Sequence, residues 1–445
     1  MPSPAGNIDF AAVAPQINFL MTPLPPVSIT ALAALFALTS AAPVTATELG
    51  TVEEAADRPF MHHRVMFMHE PSTKAAVAWS TADALFDSHV VYWDTEPRHG
   101  DVGKYAFKTN GVHSHPYTLT PDDRGNKIPG NIGHHVLLEG LKPATTYFLV
   151  IVSGEHQSRE FHFVTAPDDD RSFKLLFGGD SRRGPKWPAV HEERRRMNSL
   201  MAGLLEENPD IIALAHGADY CAKAEWTFIS DWLSDHEMTT TKDGRLLPVI
   251  PSRGNHDRGI TFEEIFYWPR RDHDFHFATD LTGGAVLLTL NTEISHAGDQ
   301  RDWLASTLKR YRSGAPRWIL TQYHIPAYGS VKEYAQGESQ RQHWVPLFEE
   351  FQVDLVMEAD HHSLKRTVPV YQDKENAAKG IVYIGDGGLG VPQRDPDTSR
   401  WYLQAPGVSG NGHHVHLLEI SDEKIRGSAI GPGRQVLDEF EIRRR

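Results

Sequence analysis

Pro251-Ser252-Arg253-Gly254-Asn255-His256-Asp257 follows the apolar run Leu246 to Ile250, a pattern that predicts a buried strand opening into a loop. Asn255 and His256 therefore stand just past a strand end. A neutral amide oxygen beside an imidazole suits a metal site that must also donate a proton. Four more segments supply Asp or His in the same context: Gly178-Gly179-Asp180, His216-Gly217-Ala218-Asp219, Tyr323-His324 and Asp360-His361-His362.

Strands and helices alternate around these segments. Phe173 to Phe177 reads as a strand, Val190 to Glu207 as an amphipathic helix, and Ile211 to Ala215 as a second strand followed by a helix through Trp226-Thr227-Phe228-Ile229. Hairpin-like pieces at 275–277 and 285–290 come next, then a helix from Gln300 to Arg310. The strand Trp318 to Thr321, a helix from His343 to Phe351 and the strand Val353 to Met357 complete the pattern. Such βα alternation implies a layered α/β domain, and the candidate ligands fall where its strands end, which is where such sheets bind ligands.

The segment from Arg58 to Ala166 differs. Ala75-Ala76-Val77-Ala78-Trp79-Ser80, His89-Val90-Val91-Tyr92-Trp93, His134 to Leu138 and Phe161 to Thr165 alternate at period two between turn residues, with no helical stretch. That spacing predicts a β-sandwich, with Trp79 and Trp93 in its core. Leu141-Lys142-Pro143-Ala144-Thr145-Thr146-Tyr147 is similar to a fibronectin type III turn in which a tyrosine closes the corner between strands. Pro167-Asp168-Asp169-Asp170-Arg171 is a polar linker, so the expected organisation is a sandwich over 58–167 and an α/β domain over 172–445.

A chain of 445 residues has room for two such cores, and 40% hydrophobic with 23% charged residues is an ordinary globular composition. The formal charge of −14 argues against nucleic acid or an anionic membrane as partner, since both need a basic face, but leaves room for a local phosphate pocket. Cys221 is the sole cysteine, so the chain forms no internal disulfide and no thiolate zinc cluster. No Lys, Arg or His precedes Arg58, and Ile29 to Ala42 is a continuous small-apolar run. Its length fits the core of a secretory signal with Val44-Thr45-Ala46 as cleavage site, giving a signal peptide over 1–46 that lacks the usual leading positive charge; a disordered Ala/Pro-rich tail is the alternative, and Met21 is an alternative start. The run is short for a span and lacks flanking cations, so no stable membrane span is expected once it is removed. The expected location is secreted, periplasmic or cell surface, and the oligomeric state stays open.

Taken together, the five segments, in this order, resemble the calcineurin-like metallophosphoesterases, and the region from Arg58 resembles the N-terminal domain of purple acid phosphatases. The resemblance covers residues 58 to about 420, and Gly254-Asn255-His256-Asp257 is its most specific part. It implies a centre of two metal ions (iron, manganese or zinc, with magnesium possible) about 3.5–4 Å apart, which activates a water and clamps the phosphoryl oxygens. On that pattern Asp180 and His362 ligate the first metal, Asp219 bridges, and Asn255 and His324 ligate the second. His256 protonates the leaving alkoxide, and Asp257 either holds its ring or is a turn residue.

Three departures qualify the match. Purple acid phosphatases place a metal-bound tyrosine three residues after the bridging Asp; here that position is Ala222, and Tyr220 follows Asp219 at once. Asp360 stands where the family has the first histidine of G-H-x-H. It either serves as a second-metal ligand, hardening the site toward manganese, iron or magnesium, or yields the role to His361. Arg182 follows Asp180 by two residues and either binds substrate phosphate or belongs to a surface run with Arg183 and Lys186. Asn291-Thr292-Glu293 and the helix carrying Trp303 and Leu304 also resemble family elements, the latter in a structural role.

The expected function is hydrolysis of a small phosphomonoester by in-line attack of an activated water. A phosphodiesterase or nucleotidase on the same site is the alternative, and a non-catalytic surface binding protein with a decayed second metal site is the rival from another class.

Overall fold

A computed structural model describes residues 60–81, 88–117, 132–183, 190–267, 274–314 and 318–444. The apolar leader and its cleavage site lie outside the described residues. No helix among the described residues is long and apolar enough to cross a membrane.

Two large sheets face each other, with helices outside both. The first orders its strands as Val436–Arg443, Lys424–Ile430, Val415–Ile420, Phe173–Gly178, Ile211–His216, Val249–Pro251, Met61–Met66, Lys74–Thr81, Ile132–Glu139 and His113–Pro116. Its centre is parallel: Phe177 pairs with Ala215 and Ala215 with Ile250. The second sheet runs Phe277–Thr282, Ala285–Thr289, Trp318–Gln322, Leu355–Met357, Val382–Gly385, Leu364–Arg366, Val408–Gly410, again parallel at its centre.

The alternation of side chains along a strand explains the layers. Leu175, Phe177, Ala213 and Ala215 face inward and meet Leu287, Leu320 and Met357 of the other sheet. Leu176 and Leu214 point outward to Met197, Met201 and Leu204 of the helix Val190–Glu207. Leu288, Ile319 and Val356 point outward to Leu304, Trp344 and Phe348. Strands covered on both faces read as continuous apolar runs, which is why periodicity alone could not say which side was in. The helix expected over 343–351 is two helices, Glu338–His343 and Val345–Glu350, because Pro346 near the second start cannot donate to a preceding turn.

The N-terminal region is all β among its described residues. Its strands divide: His89–Asp94, Phe107–Thr109, Thr146–Ser153, His156–Gln157 and Phe161–Val164 form a sheet of their own, while four others extend the ten-stranded sheet. The join is parallel, Met66 opposite Val249, with Phe67 N–H donating to Val249 O at 3.0 Å. Trp79 and Trp93 are both core residues. The tyrosine corner forms as expected, Lys142 N–H donating to the Tyr147 hydroxyl at 2.7 Å.

Removing that hydroxyl while keeping the ring (Tyr147→Phe) should cost about 1 kcal/mol of stability, read as a lower urea midpoint at unchanged slope. Buried imidazoles set the pH response. Burial holds the His134 ring down to about 3 and the His236 ring down to about 4. Both stay neutral in the folded chain while the unfolded chain takes up protons below about pH 6.5, so their contribution is complete above that pH and is lost as pH falls. At pH 5 each should have cost about 2 kcal/mol relative to pH 7, and His236→Gln should lose less stability than wild type over that interval.

Candidate metal centre

Each candidate ligand is carried on the loop after a parallel strand: Asp180 after Phe173–Gly178, Asp219 after Ile211–His216, Asn255 after Val249–Pro251, His324 after Trp318–Gln322, Asp360 and His362 after Leu355–Met357. Three loops come from one sheet and two from the other, so the groups meet across the gap between the sheets. His324 Nε2 lies 3.2 Å from Asp219 Oδ1, 3.2 Å from Asn255 Oδ1 and 3.7 Å from Asp360 Oδ1. His362 Nε2 lies 3.2 Å from Asp180 Oδ1. Donor atoms of Asp180, Asp219 and His324 all fall within 4.8 Å of one another, and all three residues are buried.

The backbone is bent to make this possible. Asp180, Ala218, Asp219, Asp360 and His362 sit at φ of 57°, 75°, 57°, 72° and 59°, in the left-handed region that side chains with a Cβ rarely adopt. Glycine supplies the close approaches. A Cβ on Gly254 would meet Asp219 Oδ1 at 2.5 Å, and one on Gly387 would meet Asp180 Oδ2 at 2.2 Å.

The donors fit a divalent metal centre. Among the described residues, buried Asp180 Oδ1 has no partner of good hydrogen-bond geometry, and His362 Nε2 stands 3.2 Å from it. His324 Nδ1 is held by Gly217 O at 2.9 Å, which turns Nε2 toward the carboxylates. Burial pulls the His324 imidazole down, but the carboxylates of Asp219, Asp180 and Asp360 outweigh it and hold it well above its ordinary value. Burial likewise raises the Asp219 carboxyl, and the His324 ring beside it more than reverses the effect. Four hard oxygen ligands with two imidazoles suit manganese, iron, zinc or magnesium.

Asp360 faces the donor set, with Lys332 Nζ on Oδ1 at 2.6 Å and Gln336 Nε2 on Oδ2 at 2.9 Å. His361 is turned away: Nδ1 accepts from Val331 N–H at 3.0 Å and Nε2 meets Gln336 Oε1 at 3.1 Å. Arg182 is not on the surface; it is buried with Nε donating to Asp219 Oδ2 at 3.0 Å. Tyr220 turns into an aromatic cluster of His216, Trp232 and Phe266, consistent with adjacent residues pointing opposite ways. Cys221 beside it is buried, and burial pushes its thiol far up. Trp303 packs beside the core of the second sheet's outer face.

Asp257 does not hold the His256 ring. His256 Nδ1 meets Ala222 O at 2.9 Å instead. The Asp257 carboxylate accepts from the backbone N–H groups of Asp219 (2.8 Å), Gly254 (3.0 Å) and Tyr220 (3.1 Å), so it clamps two ligand loops together. Burial, then the Asp219 charge, push its carboxyl up to about 8. Its position directly after His256 suggested a shorter-range role; beside the local contact to Gly254, two of its partners lie 37 and 38 residues away in the chain. Lys332 and Gln336 belong to no motif and gave no signal in the sequence.

Comparison with known proteins agrees with this geometry. Residues 61–165 match the family "Purple acid Phosphatase, N-terminal domain" and residues 190–364 match "Calcineurin-like phosphoesterase". The chain is a purple acid phosphatase-like metallophosphoesterase. Purple acid phosphatase 23 of Arabidopsis thaliana is 25% identical, covering 71% of this chain and 77% of that protein. Purple acid phosphatase 22 of the same plant is 28% identical over 70% of this chain and 68% of its own length. Among solved structures, purple acid phosphatase PPD1 from yellow lupin (Lupinus luteus) seeds superposes with a TM-score of 0.70 at 17% identity, covering 86% of this chain and 74% of that one. PhoD gives 0.61 at 10% identity, covering 85% and 88%. These two share the fold.

Asp257 gives the site's own test. Asp257→Ala should release both loops and weaken manganese binding about 10- to 100-fold in isothermal titration, although no ligand atom is removed.

Proposed function

We propose that this phosphoesterase hydrolyses phosphomonoesters at a dinuclear centre held by Asp180, Asp219, Asn255, His324, Asp360 and His362. The observation that carries the reading is the position of Asp219. Its carboxylate reaches both Asp180, which stands beside His362, and His324, which stands beside Asn255 and Asp360, and this supports a bridging role. Divalent cations held by these residues would lower the pKa of a water and neutralise the phosphoryl oxygens.

The chain's own groups do the rest. An Nδ1–H donated to the Ala222 carbonyl fixes the His256 ring and leaves Nε2 to carry the exchangeable proton. His256 N–H also donates to Asp219 Oδ1 at 3.1 Å, tying the acid to the bridging ligand. The half-buried ring then protonates the leaving alkoxide. Arg182, on the other oxygen of Asp219, brings a planar cation able to bind phosphoryl oxygens. With the bridge and the acid held together, proton donation is coupled to substrate position.

The deciding experiment is hydrolysis of p-nitrophenyl phosphate and its bis-ester by wild type, Asn255→Ala and Asp360→Ala, reconstituted separately with manganese, iron, zinc and magnesium. Wild type should turn over the monoester faster, and both variants should lose metal-dependent turnover. A folded wild type silent on both esters with every metal sinks the reading. Faster turnover of the bis-ester moves it to a phosphodiesterase. The acid has its own signature: His256→Gln should cost about 10²–10⁴ in kcat on an alkyl phosphate and much less on p-nitrophenyl phosphate, whose leaving group needs little protonation.

A further inference from the structure

Lys332 belongs to none of the sequence motifs at this site, yet its side chain reaches the donor set. It stands on the loop after His324, and its ammonium lies 2.6 Å from Asp360 Oδ1. The two partners differ in access: the Lys332 side chain is 35% exposed and that of Asp360 only 4%. The lysine therefore enters from the mouth of the site onto a carboxylate inside it. Its backbone is anchored independently. The Arg400 guanidinium donates to Val331 O at 3.1 Å and to Gly329 O and Lys332 O, and Val331 N–H is bound by His361. A fixed base with a four-carbon stem gives the ammonium a short arc of movement over the donor set.

The charges give that arc a purpose. Asp219, Asp180 and Asp360 already place three carboxylates around His324. Gln336 Nε2 engages the second oxygen of Asp360, so Oδ1 is the atom Lys332 shares with the donor set. A cation held at Oδ1 repels an ammonium 2.6 Å from that oxygen. The ammonium then moves to the nearest other anion in the mouth, which in a phosphoesterase is the substrate's phosphoryl group. A phosphomonoester is a dianion near neutral pH and a diester a monoanion, so a mobile cation there favours the monoester.

We propose that Lys332 is a phosphate ligand and the specificity-determining residue for dianionic monoesters, parked on Asp360 until the centre is loaded. The proposal rests on the phosphatase reading above. Lys332→Gln and Lys332→Arg test it in the manganese-loaded protein, with folding checked by thermal midpoint. Inorganic phosphate is titrated calorimetrically, manganese stoichiometry is measured, and kcat/KM is taken on p-nitrophenyl phosphate and its bis-ester. Lys332→Gln should keep the wild-type manganese stoichiometry and weaken phosphate binding about tenfold or more. It should lower monoester kcat/KM by a similar factor and change the bis-ester by less than about threefold, while Lys332→Arg recovers most of the loss. Phosphate affinity unchanged in Lys332→Gln overturns the proposal. So does an equal fall on both esters accompanied by loss of manganese, which would make Lys332 a positioning residue for Asp360 only. Loaded wild type that neither binds phosphate nor hydrolyses either ester overturns the phosphatase reading first, and the role of Lys332 falls with it.

Discussion

Three carboxylates buried around one imidazole are the constraint on which the rest of the structure depends. An ionised carboxylate in an apolar interior costs far more than the net stability of a domain unless it is compensated. Each is compensated differently. Asp180 Oδ2 accepts the Asp360 N–H at 2.8 Å, Asp219 accepts from Arg182 and from the His256 backbone, and Asp360 accepts from Lys332 and Gln336. What is left over is a shared demand for positive charge facing the centre, expressed in the elevated His324. A site satisfied by its own hydrogen bonds would have no need of a metal.

Holding that arrangement takes a second layer that contributes no ligand. Lys365 is fully buried between Glu358 and Asp386, and donates to Tyr328 O at 2.7 Å. Glu358 in turn accepts from the Tyr323 hydroxyl and the Ala327 N–H, at 2.6 and 2.7 Å. Asp386 O accepts the His362 N–H at 2.6 Å, and its carboxylate accepts from the Ser330 hydroxyl at 2.8 Å. The loops bearing His324 and His362 are therefore tied to one ion cluster. Arg194 does the same for Asp180: it pairs with buried Asp235 and donates to Ser181 O at 3.0 Å. Buried ion pairs are weak sources of stability, but a half-broken one is costly, so they fix loop geometry more than they raise the melting point.

The candidate ligands were legible as positions because each combines a strand end with an Asp, Asn or His, and their roles came from the family resemblance. Asn255 and His256 after an apolar strand, and His324 after another, were readable from spacing. The Tyr220 orientation followed from the alternation of adjacent side chains. What could not be read depends on pairs distant in the chain. Asp257 sits one residue from His256, yet its carboxylate closes on the Asp219 loop. Lys332 precedes its partner Asp360 by 28 residues, on a loop with no periodic pattern. The strands of the N-terminal region were legible by their alternation, but which sheet they join was not. An edge strand's unpaired backbone carries no side-chain signal for its partner.

That join changes what the N-terminal region does. Met61–Met66 lies against Val249–Pro251, the strand that ends four residues before Asn255. On its other side Val249–Pro251 pairs with Ile211–His216, the strand leading to Asp219. The β-rich region thus completes the backbone hydrogen bonding of a strand whose open edge would otherwise lie next to the metal centre. Side chains reinforce the seam: buried Arg64 donates to Ile265 O at 3.0 Å, and the His62 ring meets Ser234 of the helix Trp226–His236 at 3.2 Å. A loop bent to φ values that side chains disfavour stays bent only while its surroundings over-determine it. The loop so bent here is Ala218–Asp219, which follows the strand paired to Val249–Pro251; the N-terminal region supports it at one strand's remove, and the Asn255 loop directly, through backbone pairing.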